Sequence, residues 1–287
     1  MSVDTTIEAS RRAPRNLQQR RSWVRRTLLT RRAARITAPL LFLLLWQLIA
    51  PMIPSRILPM PADVAREMWE LLLDGTVVEA FSISLGRLAL GFALALLAGS
   101  AIGLAMGMSP RIEALLHDFV VVGLTFPYLI WGLLVAIWVG FEGQGPIIVV
   151  FIAALPYVAI NTSEGVRDVS KDLRDMAAAY DVPNARVVRH LVVPSLMPFF
   201  FASLRYGLAN GWKGLVLAEV FASQSGAGYQ IVEFRDYGNF EGVVGFAIFF
   251  AAFSIVVERL VFGRLSRRVF RWRPTSAGPV EQISETA

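Results

Sequence analysis

The sequence contains no cysteine, so neither a disulfide framework nor a thiolate metal site is available to the chain. It has two histidines, His117 and His190, which lie far apart. It also lacks a glycine-x-serine-x-glycine nucleophile elbow and a phosphate-binding loop of the G-x-x-x-x-G-K-S/T kind. Because no set of acid, base, nucleophile or metal ligands is present, we expect neither an enzyme nor a chain that hydrolyses ATP itself.

Charged residues are scarce, at 17% of the 287 residues against roughly 25% in globular domains, and hydrophobic residues make up 55%. The apolar residues fall in runs close to the roughly 20 residues that a helix needs to cross a bilayer. The sequence therefore predicts an all-α membrane protein with six transmembrane helices. These spans are predicted at about 36–53, between Arg87 and Arg111, and at about 119–141, 145–161, 198–221 and 242–262.

Basic residues predict the orientation of these spans. Ten arginines lie between Arg11 and Arg35, and the side that holds both termini carries 21 basic residues against 3 on the other side. This asymmetry predicts that both termini are cytoplasmic. The predicted parts are a cytoplasmic arginine-rich segment at 1–35, a six-span domain at 36–262 and a cytoplasmic basic tail at 263–287.

The N-terminal arginines are interpreted as a topology signal beside the lipid surface rather than as a nucleic-acid site. No small-residue cleavage site follows the first apolar run, so we expect a retained helix rather than an export signal.

Local patterns add detail to the spans. Residues 61–73 read as an amphipathic helix with Asp63 as its cap. Pro127 is expected to kink span 3, and Pro156 lies inside span 4. Small residues recur every four positions in span 2 and predict the close approach of another helix rather than a substrate site; they are Gly91, Ala95, Gly99, Gly103 and Gly107.

The polar loop at 162–197 predicts a helix–turn–helix outside the membrane. Residues 173–180 are alanine-rich and predict a short helix, and 181–184 predict a turn. A second helix is expected at 185–192, closed by Pro194. Such a unit suits docking to a partner protein, and an ordinary loop on the membrane surface is the alternative.

This loop resembles the shared loop of the permease subunits of bacterial ABC importers, in particular the nitrate/sulfonate/taurine-type group. The motif of that family is Glu-Ala-Ala, three residues, Gly, nine residues and Ile-x-Leu-Pro, and its spacing fits here without gaps. The resemblance covers about residues 40–274, including 211–219 and 226–229, which look like the fifth span and the loop after it. The motif positions are Asp175, Met176, Ala177, Asp181, Leu191, Val193 and Pro194. The residues that the resemblance implies for contact with the ATPase are Asp175, Met176, Ala177, Ala178, Asp181, Leu191 and Pro194.

The resemblance implies a type I ABC importer permease fold in a bacterial inner membrane, with cytoplasmic coupling helices that dock on an ATPase. It also implies three kinds of partner: two ATPase subunits, a second permease copy or paralogue, and an extracytoplasmic substrate-binding protein. ATP and Mg²⁺ belong to the ATPase, and no cofactor is expected on this chain. Asp175 and Asp181 depart from the motif's glutamate and glycine. Since aspartate tolerates positive φ, we expect the turn to persist. The two substitutions can alter the contact of this loop with the ATPase. One hypothesis is that this chain pairs with a different permease instead of with a second copy of itself.

Charged residues interrupt the predicted span 5. Ionisable groups inside a membrane usually face the bundle interior or a water-filled path. We expect Lys213 to line the translocation pathway and favour an anionic substrate, with Arg205, Asn210, Trp212 and Glu219 as further pathway candidates. Two alternatives stay open, since Lys213 can pair with Glu219 or with backbone carbonyls, and Arg205 can snorkel to the membrane edge.

The aromatic residues of span 3 are expected to be packing or interface residues rather than a binding box; they are Phe126, Tyr128, Trp131 and Trp138. The sequence as a whole indicates the permease subunit of an ATP-driven importer for a small anionic nutrient. A gradient-driven secondary transporter is the main alternative, but the inverted repeats typical of that class are not visible. A membrane enzyme or assembly factor is a further alternative.

Overall fold

The fold comes from a computed structural model that describes residues 37–140, 143–257 and 259. The described residues form helices and connecting segments without a strand, which confirms the all-α prediction. The predicted segments 1–35 and 263–287 lie outside the described residues. The helices are α1 (Thr37–Met52), α2 (Pro61–Leu73), α3 (Thr76–Met108), α4 (Pro110–Thr125), α5 (Tyr128–Val139), α6 (Gly145–Arg167), α7 (Lys171–Ala179), α8 (Asn184–Val187), α9 (Val193–Ala222), α10 (Ala227–Asp236) and α11 (Phe240–Val256).

The apolar helices correspond to the predicted spans. Within the described residues, α3, α6 and the continuous helix Ala185–Ala222 are long and apolar enough to cross a membrane. Helices α4 and α5 pass the same test together as one bent span, and α1 and α11 are shorter apolar helices. Each predicted span therefore has an apolar helix or a bent helix pair at its position.

The chain divides into two compact units after Ala65. In the first unit, the indole nitrogen of Trp46 donates to the Pro59 carbonyl oxygen at 3.0 Å, which links α1 to the segment after it. Helix α2 begins at Pro61, a residue favoured in the first helical position. The prediction of Asp63 as the cap is therefore wrong, because this residue lies inside the first turn of α2. Its negative charge interacts favourably there with the unpaired N–H groups at the start of the helix.

In the second unit, α6 packs between α3 and α9. A Cβ on Gly91 of α3 would lie 2.6 Å from the Ile147 carbonyl oxygen of α6. On α9, Gly214 faces the Ala153 and Val149 side chains of α6. The small-residue face of α3 thus lies directly against α6, which confirms the predicted close approach.

Span 2 starts earlier in the structure than the sequence predicts. Helix α3 begins at Thr76, so Arg87 lies inside the helix and not at the edge of a span. The sequence predicts Arg87 at the boundary of this span because a charge inside lipid is costly. A charge is tolerated inside this helix because Arg87 is ion-paired to Glu219.

The region of span 3 is a pair of helices that meet at a break rather than one kinked helix. Helix α4 ends at Thr125 and α5 begins at Tyr128, and the two are bent by 100°. Phe126 and Pro127 between them have extended backbone angles, with ψ of 129° and 130°. The residue before a proline is disfavoured in the helical region, so Pro127 ends α4 instead of bending a continuous helix.

The polar loop at 162–197 contains the predicted turn but not a separate second helix. Helix α8 continues through a π-helical segment, Val188–Val192, into α9, so Pro194 does not close it as predicted. The Val193 N–H donates to the carbonyl oxygen of Val188, five residues earlier. This wider turn changes the hydrogen-bonding register directly before Pro194, which has no N–H to donate, and the helix continues past the proline.

Candidate functional site

A buried ion pair joins α3, α9 and the segment before α10. The Arg87 Nη1 atom lies 2.9 Å from Glu219 Oε1, and the Glu219 side chain is fully buried. The hydroxyl of Ser84, at 2.7–2.8 Å, and the N–H of Gly228, at 2.9 Å, also donate to this carboxylate. Arg87 donates in addition to the carbonyl and hydroxyl oxygens of Ser225, both at 2.7 Å. Ser84, Ser225 and Gly228 therefore hold the ion pair by hydrogen bonds in addition to its own contact.

This cluster also orders the start of α10. The Ala227 N–H donates to the Ser84 hydroxyl at 2.8 Å, and the Gly228 N–H reaches the Glu219 carboxylate. These N–H groups belong to the first turn of α10, where helices need acceptors and favour negative charge. A Cβ on Gly226 would overlap the Glu219 carboxylate, and Gly226 has φ of 101°. The position requires glycine for both reasons.

A second charged site on α9 is open. Arg205 and Lys213 are exposed, and both line a cavity of about 230 Å³ between α3, α9 and α11. Its remaining walls are mostly apolar and include Trp212, Phe253 and Leu88. Arg205 and Lys213 are eight residues apart, or about 12 Å along a helix. The structure therefore brings three of the predicted pathway residues together at one cavity.

A third polar group lies on another side of α9. The Tyr128 hydroxyl donates to the Asn210 side-chain oxygen at 2.8 Å and lies 3.4 Å from the Tyr157 hydroxyl. The Asn210 amide donates in turn to the Tyr206 carbonyl oxygen at 2.8 Å. Asn210 thus links α9 to Tyr128 of α5, which in turn lies beside Tyr157 of α6, and it does not line the cavity with Lys213. Tyr128, which the sequence predicts to be a packing or interface residue, makes a specific hydrogen bond across helices.

The structure separates the predicted pathway residues into three places. Arg205, Trp212 and Lys213 line the cavity, Asn210 is hydrogen-bonded to Tyr128, and Glu219 is buried with Arg87. Glu219 accordingly uses Arg87 as its ion-pair partner, not Lys213. The pathway role of these residues stays a prediction.

Helix α7 presents an apolar face outside the helix bundle. Leu173, Met176 and Tyr180 are 44%, 53% and 78% exposed, and they follow one another at helical spacing together with Ala177. The Ser170 hydroxyl accepts from the Leu173 N–H and caps the helix. No residue of α7 is buried. An amphipathic helix with an uncovered apolar side is typical of a surface that binds a partner.

The predicted ATPase-coupling residues form one continuous segment. Asp175, Met176, Ala177 and Ala178 lie in α7, Leu191 in the π-helical segment and Pro194 in the first turn of α9. Asp181 has φ of 49° and is the one non-glycine residue with positive φ in the described part of the chain. The expectation that aspartate keeps the turn in place of glycine is confirmed.

Sequence reasoning missed Ser84, Arg87 and Tyr157. Ser84 and Arg87 lie more than 130 residues from Glu219, and no periodic pattern links positions at such a separation. The signal available was the charge of Arg87 itself, because a charge inside an apolar helix requires a partner. For a metal ion, no suitable group of three histidine, aspartate or glutamate residues occurs in the ranges that the structure describes.

The fold and the loop motif define a class of protein, and comparison with known families identifies it. The family described as binding-protein-dependent transport system inner membrane component matches residues 76–271. The match covers more than half of the chain, so the chain belongs to this family. It is the membrane permease subunit of a binding-protein-dependent ABC importer. This membership decides against the gradient-driven alternative.

Several relatives extend over most of the chain. The putative aliphatic sulfonates transport permease SsuC of Bacillus subtilis (strain 168) is 29% identical over 96% of each chain. The taurine transport permease TauC of Escherichia coli (strain K12) is 27% identical over 79% of this chain and 82% of its own. The nitrate import permease NrtB of Synechococcus elongatus is 27% identical over 90% of this chain and 98% of its own.

The solved MetNI methionine ABC transporter, in inward-facing conformations, has a similar fold. Its TM-score is 0.55 at 14% identity, over 74% of this chain and 98% of that chain. This likeness confirms the importer permease fold that the loop motif implies.

Proposed function

We propose that this chain forms the translocation path for a small anionic nutrient of the sulfonate, taurine or nitrate kind, delivered by an external binding protein. The observation that carries the proposal is the pair of cations, Arg205 and Lys213, at a cavity near the middle of α9. A charge at mid-membrane is costly unless it faces polar surroundings or an opposite charge. The substrates in the names of the three relatives above, aliphatic sulfonates, taurine and nitrate, are consistent with an anion.

The energy for import comes from a separate ATPase that docks on α7. The exposed face of Leu173, Met176 and Tyr180 supplies the apolar contact for this partner. The turn at Asp181 then leads into the helix Ala185–Ala222, which reaches the middle of the bundle without a break. Movement of α7 by the ATPase is thereby transmitted along one rigid element toward the Lys213 cavity. ATP and Mg²⁺ are held by the ATPase, not by this chain.

Both termini and α7 face the cytoplasm, and α10 faces the outside of the cell. The 21 to 3 distribution of basic residues supports this orientation. Two permease chains, identical or paralogous, pair with two ATPase subunits in the complete importer. In that assembly, the exposed charged residues of α9, Arg205 and Lys213, face the second permease or the translocation path between the two permeases.

The orientation is open to a direct test because the chain has no cysteine. Tyr180 and Tyr237 are 78% and 81% exposed and lie on opposite predicted sides. In intact cells, a membrane-impermeant maleimide is expected to label the Tyr237→Cys variant and not Tyr180→Cys. The reverse labelling would overturn the orientation.

The docking surface is tested by tagging the chain in its native host and identifying co-purifying proteins by mass spectrometry. We expect a soluble ATPase at one copy per permease. Tyr180→Asp places a charge in the α7 contact and is expected to lose the ATPase, whereas Tyr237→Asp, equally exposed, keeps it. Recovery of the ATPase with Tyr180→Asp at the wild-type ratio would contradict docking on α7.

A further inference from the structure

The first end of α7 is attached to α6 by a short and well-fixed connection. Helix α6 ends at Arg167, and three residues separate it from the start of α7. The Asp168 N–H donates to the Glu164 carbonyl oxygen at 2.9 Å, the Val169 side chain is 3% exposed, and the Ser170 hydroxyl caps α7. Because each connecting residue is held in place, a movement of α7 is passed on to the end of α6.

An ion pair joins this end of α6 to α4. The guanidinium of Arg167 is paired with the carboxylate of Glu113, which lies in the first turn of α4. Arg167 also donates to the hydroxyl of Ser163, one turn earlier on α6, at 3.1 Å. The Ser163 side chain is buried, so this hydrogen bond orients the guanidinium toward α4.

Helices α4 and α6 are also in apolar contact beside the ion pair. Leu116 and Val120 of α4 belong to one hydrophobic cluster with Ala159 and Ile160 of α6. Glu113 lies about one turn before Leu116, so the ion pair extends this contact to the end of α6 that leads into α7. Apolar packing allows small sliding movements, whereas a charged pair favours one register of the two helices.

We propose that Arg167 and Glu113 are positioning residues that couple α7 to α4, so that the ATPase moves the bent helix pair α4–α5 together with α9. The inference rests on the proposed docking of the ATPase on α7 and adds a second route to the one along α9. One route leaves the far end of α7 through the turn at Asp181, and the other leaves its near end through Arg167. The routes meet again where Tyr128 of α5 donates to Asn210 of α9.

The exposure of the ion pair sets the size of the expected effect. The side chains of Arg167 and Glu113 are 44% and 29% exposed. An exposed pair of this kind contributes little to folding, and it changes the ratio of two helix arrangements by about two- to fivefold. Loss of the pair is therefore expected to weaken coupling while folding and ATPase docking stay nearly unchanged.

The test follows α4 and α7 separately with spin labels, because the chain has no cysteine of its own. One label is placed at Leu115→Cys of α4, where the side chain is 66% exposed, and another at Arg174→Cys, on the exposed side of α7 away from its apolar face. The permease–ATPase complex is purified from the native host and placed in nanodiscs. Electron paramagnetic resonance spectra are recorded before and after trapping of the ATPase with ATP and vanadate, and the spectrum of the complex without an introduced cysteine is subtracted.

In the otherwise unchanged complex, we expect ATP trapping to alter the line shapes at both positions. In Glu113→Gln, the Arg174→Cys label still responds, whereas the ratio of responding to unresponsive Leu115→Cys labels falls by about two- to fivefold. The control is Arg111→Gln, which removes an exposed charge two residues away on α4 and should leave both responses intact.

A double-variant cycle tests whether the two residues act as a pair. Arg167→Gln is expected to reproduce the loss seen in Glu113→Gln, and the double variant should lose no more than either single variant. Arg167→Lys keeps the charge and should keep the response at α4. A purely structural role in the fold of α6 would not produce this pattern, because it would not depend on the partner residue.

Two results would overturn the inference. One is an α4 label that ignores ATP while the α7 label responds, and the other is an α4 response that Glu113→Gln leaves unchanged or that the double variant lowers additively. Both leave the importer function intact, since the α7 response still reports the ATPase. An α7 label that does not respond to ATP, or loss of the ATPase from the wild-type chain, would instead count against the proposed function on which the inference rests.

Discussion

Helix α9 carries two charged sites, and their surroundings are opposite. Glu219 is fully buried and meets Arg87, Ser84 and the Gly228 N–H. Lys213, six residues earlier on the same helix, is exposed at a cavity. Both charges interrupt an apolar span, so composition alone does not distinguish them.

The difference teaches how to separate a structural charge from a functional one in a membrane helix. The Glu219 carboxylate is satisfied within the chain, and its partners belong to elements that it holds in place. At Lys213 the chain supplies apolar walls, a second cation and space. An ionisable group with room beside it is suited to bind something that is not always present. Changes at the first site should therefore affect folding, and changes at the second should affect transport.

The largest expected effect on stability comes from Glu219→Ala. Removal of the carboxylate leaves Arg87 buried without its counter-charge, which costs about 3–5 kcal/mol of unfolding free energy. Chemical denaturation of the purified chain in mild detergent measures the loss. The control is Glu79→Ala, an exposed carboxylate on α3, with an expected change within about 0.5 kcal/mol.

The double variant Arg87→Met with Glu219→Leu sharpens this test. We expect it to be less destabilised than the sum of the single variants, since both charges leave together. Strict additivity would show that the two side chains do not act as a pair.

A smaller effect is expected where α3 packs on α6. Gly103→Ala places a methyl group against the Ala159 carbonyl and the Thr162 side chain, and overpacking of this kind costs about 1–3 kcal/mol. Gly86→Ala on the same helix meets no neighbouring atom within 4 Å and should stabilise by about 0.5–1 kcal/mol. The same denaturation assay compares the two, and equal effects would contradict the close approach of α3 and α6.

The smallest effect on stability is expected from Lys213→Met. The side chain is exposed, so the unfolding free energy should change by less than about 0.5 kcal/mol. Uptake of the anionic substrate by the reconstituted importer should nevertheless fall by at least about tenfold, the equivalent of 1.4 kcal/mol. A Lys213→Met chain that is strongly destabilised, or that transports normally, would remove the contrast with Glu219.

Much of the fold follows from local patterns that a sequence displays. Apolar runs predicted the positions of the membrane helices because each helix must satisfy its own backbone hydrogen bonds in lipid. The small-residue spacing of α3 predicted a close helix contact, and the motif around Asp181 predicted a turn with positive φ. Each of these features depends on residues within a few turns of one another.

The ends of helices were predicted less well where a charge or a proline, which usually marks a helix end, lies inside a helix in the structure. Arg87 marks a span edge by its charge, yet it lies inside α3 because Glu219, 132 residues away, neutralises it. Pro194 marks a helix end by its missing N–H, yet the helix continues because a π turn absorbs the proline. Pro127, by contrast, breaks its span into two helices bent by 100°.

The sequence by itself determined the class of protein, the helical character of the described residues and the segment that carries the family motif, because these depend on composition and on short spacings. Only the tertiary structure decided which charge on α9 is paired and which charge faces a cavity. It also decided that Asn210 accepts a hydrogen bond from Tyr128 and does not line the cavity beside Lys213. The physical reason is that a side chain's partner depends on how distant helices are packed, and one helix presents different sides to different neighbours.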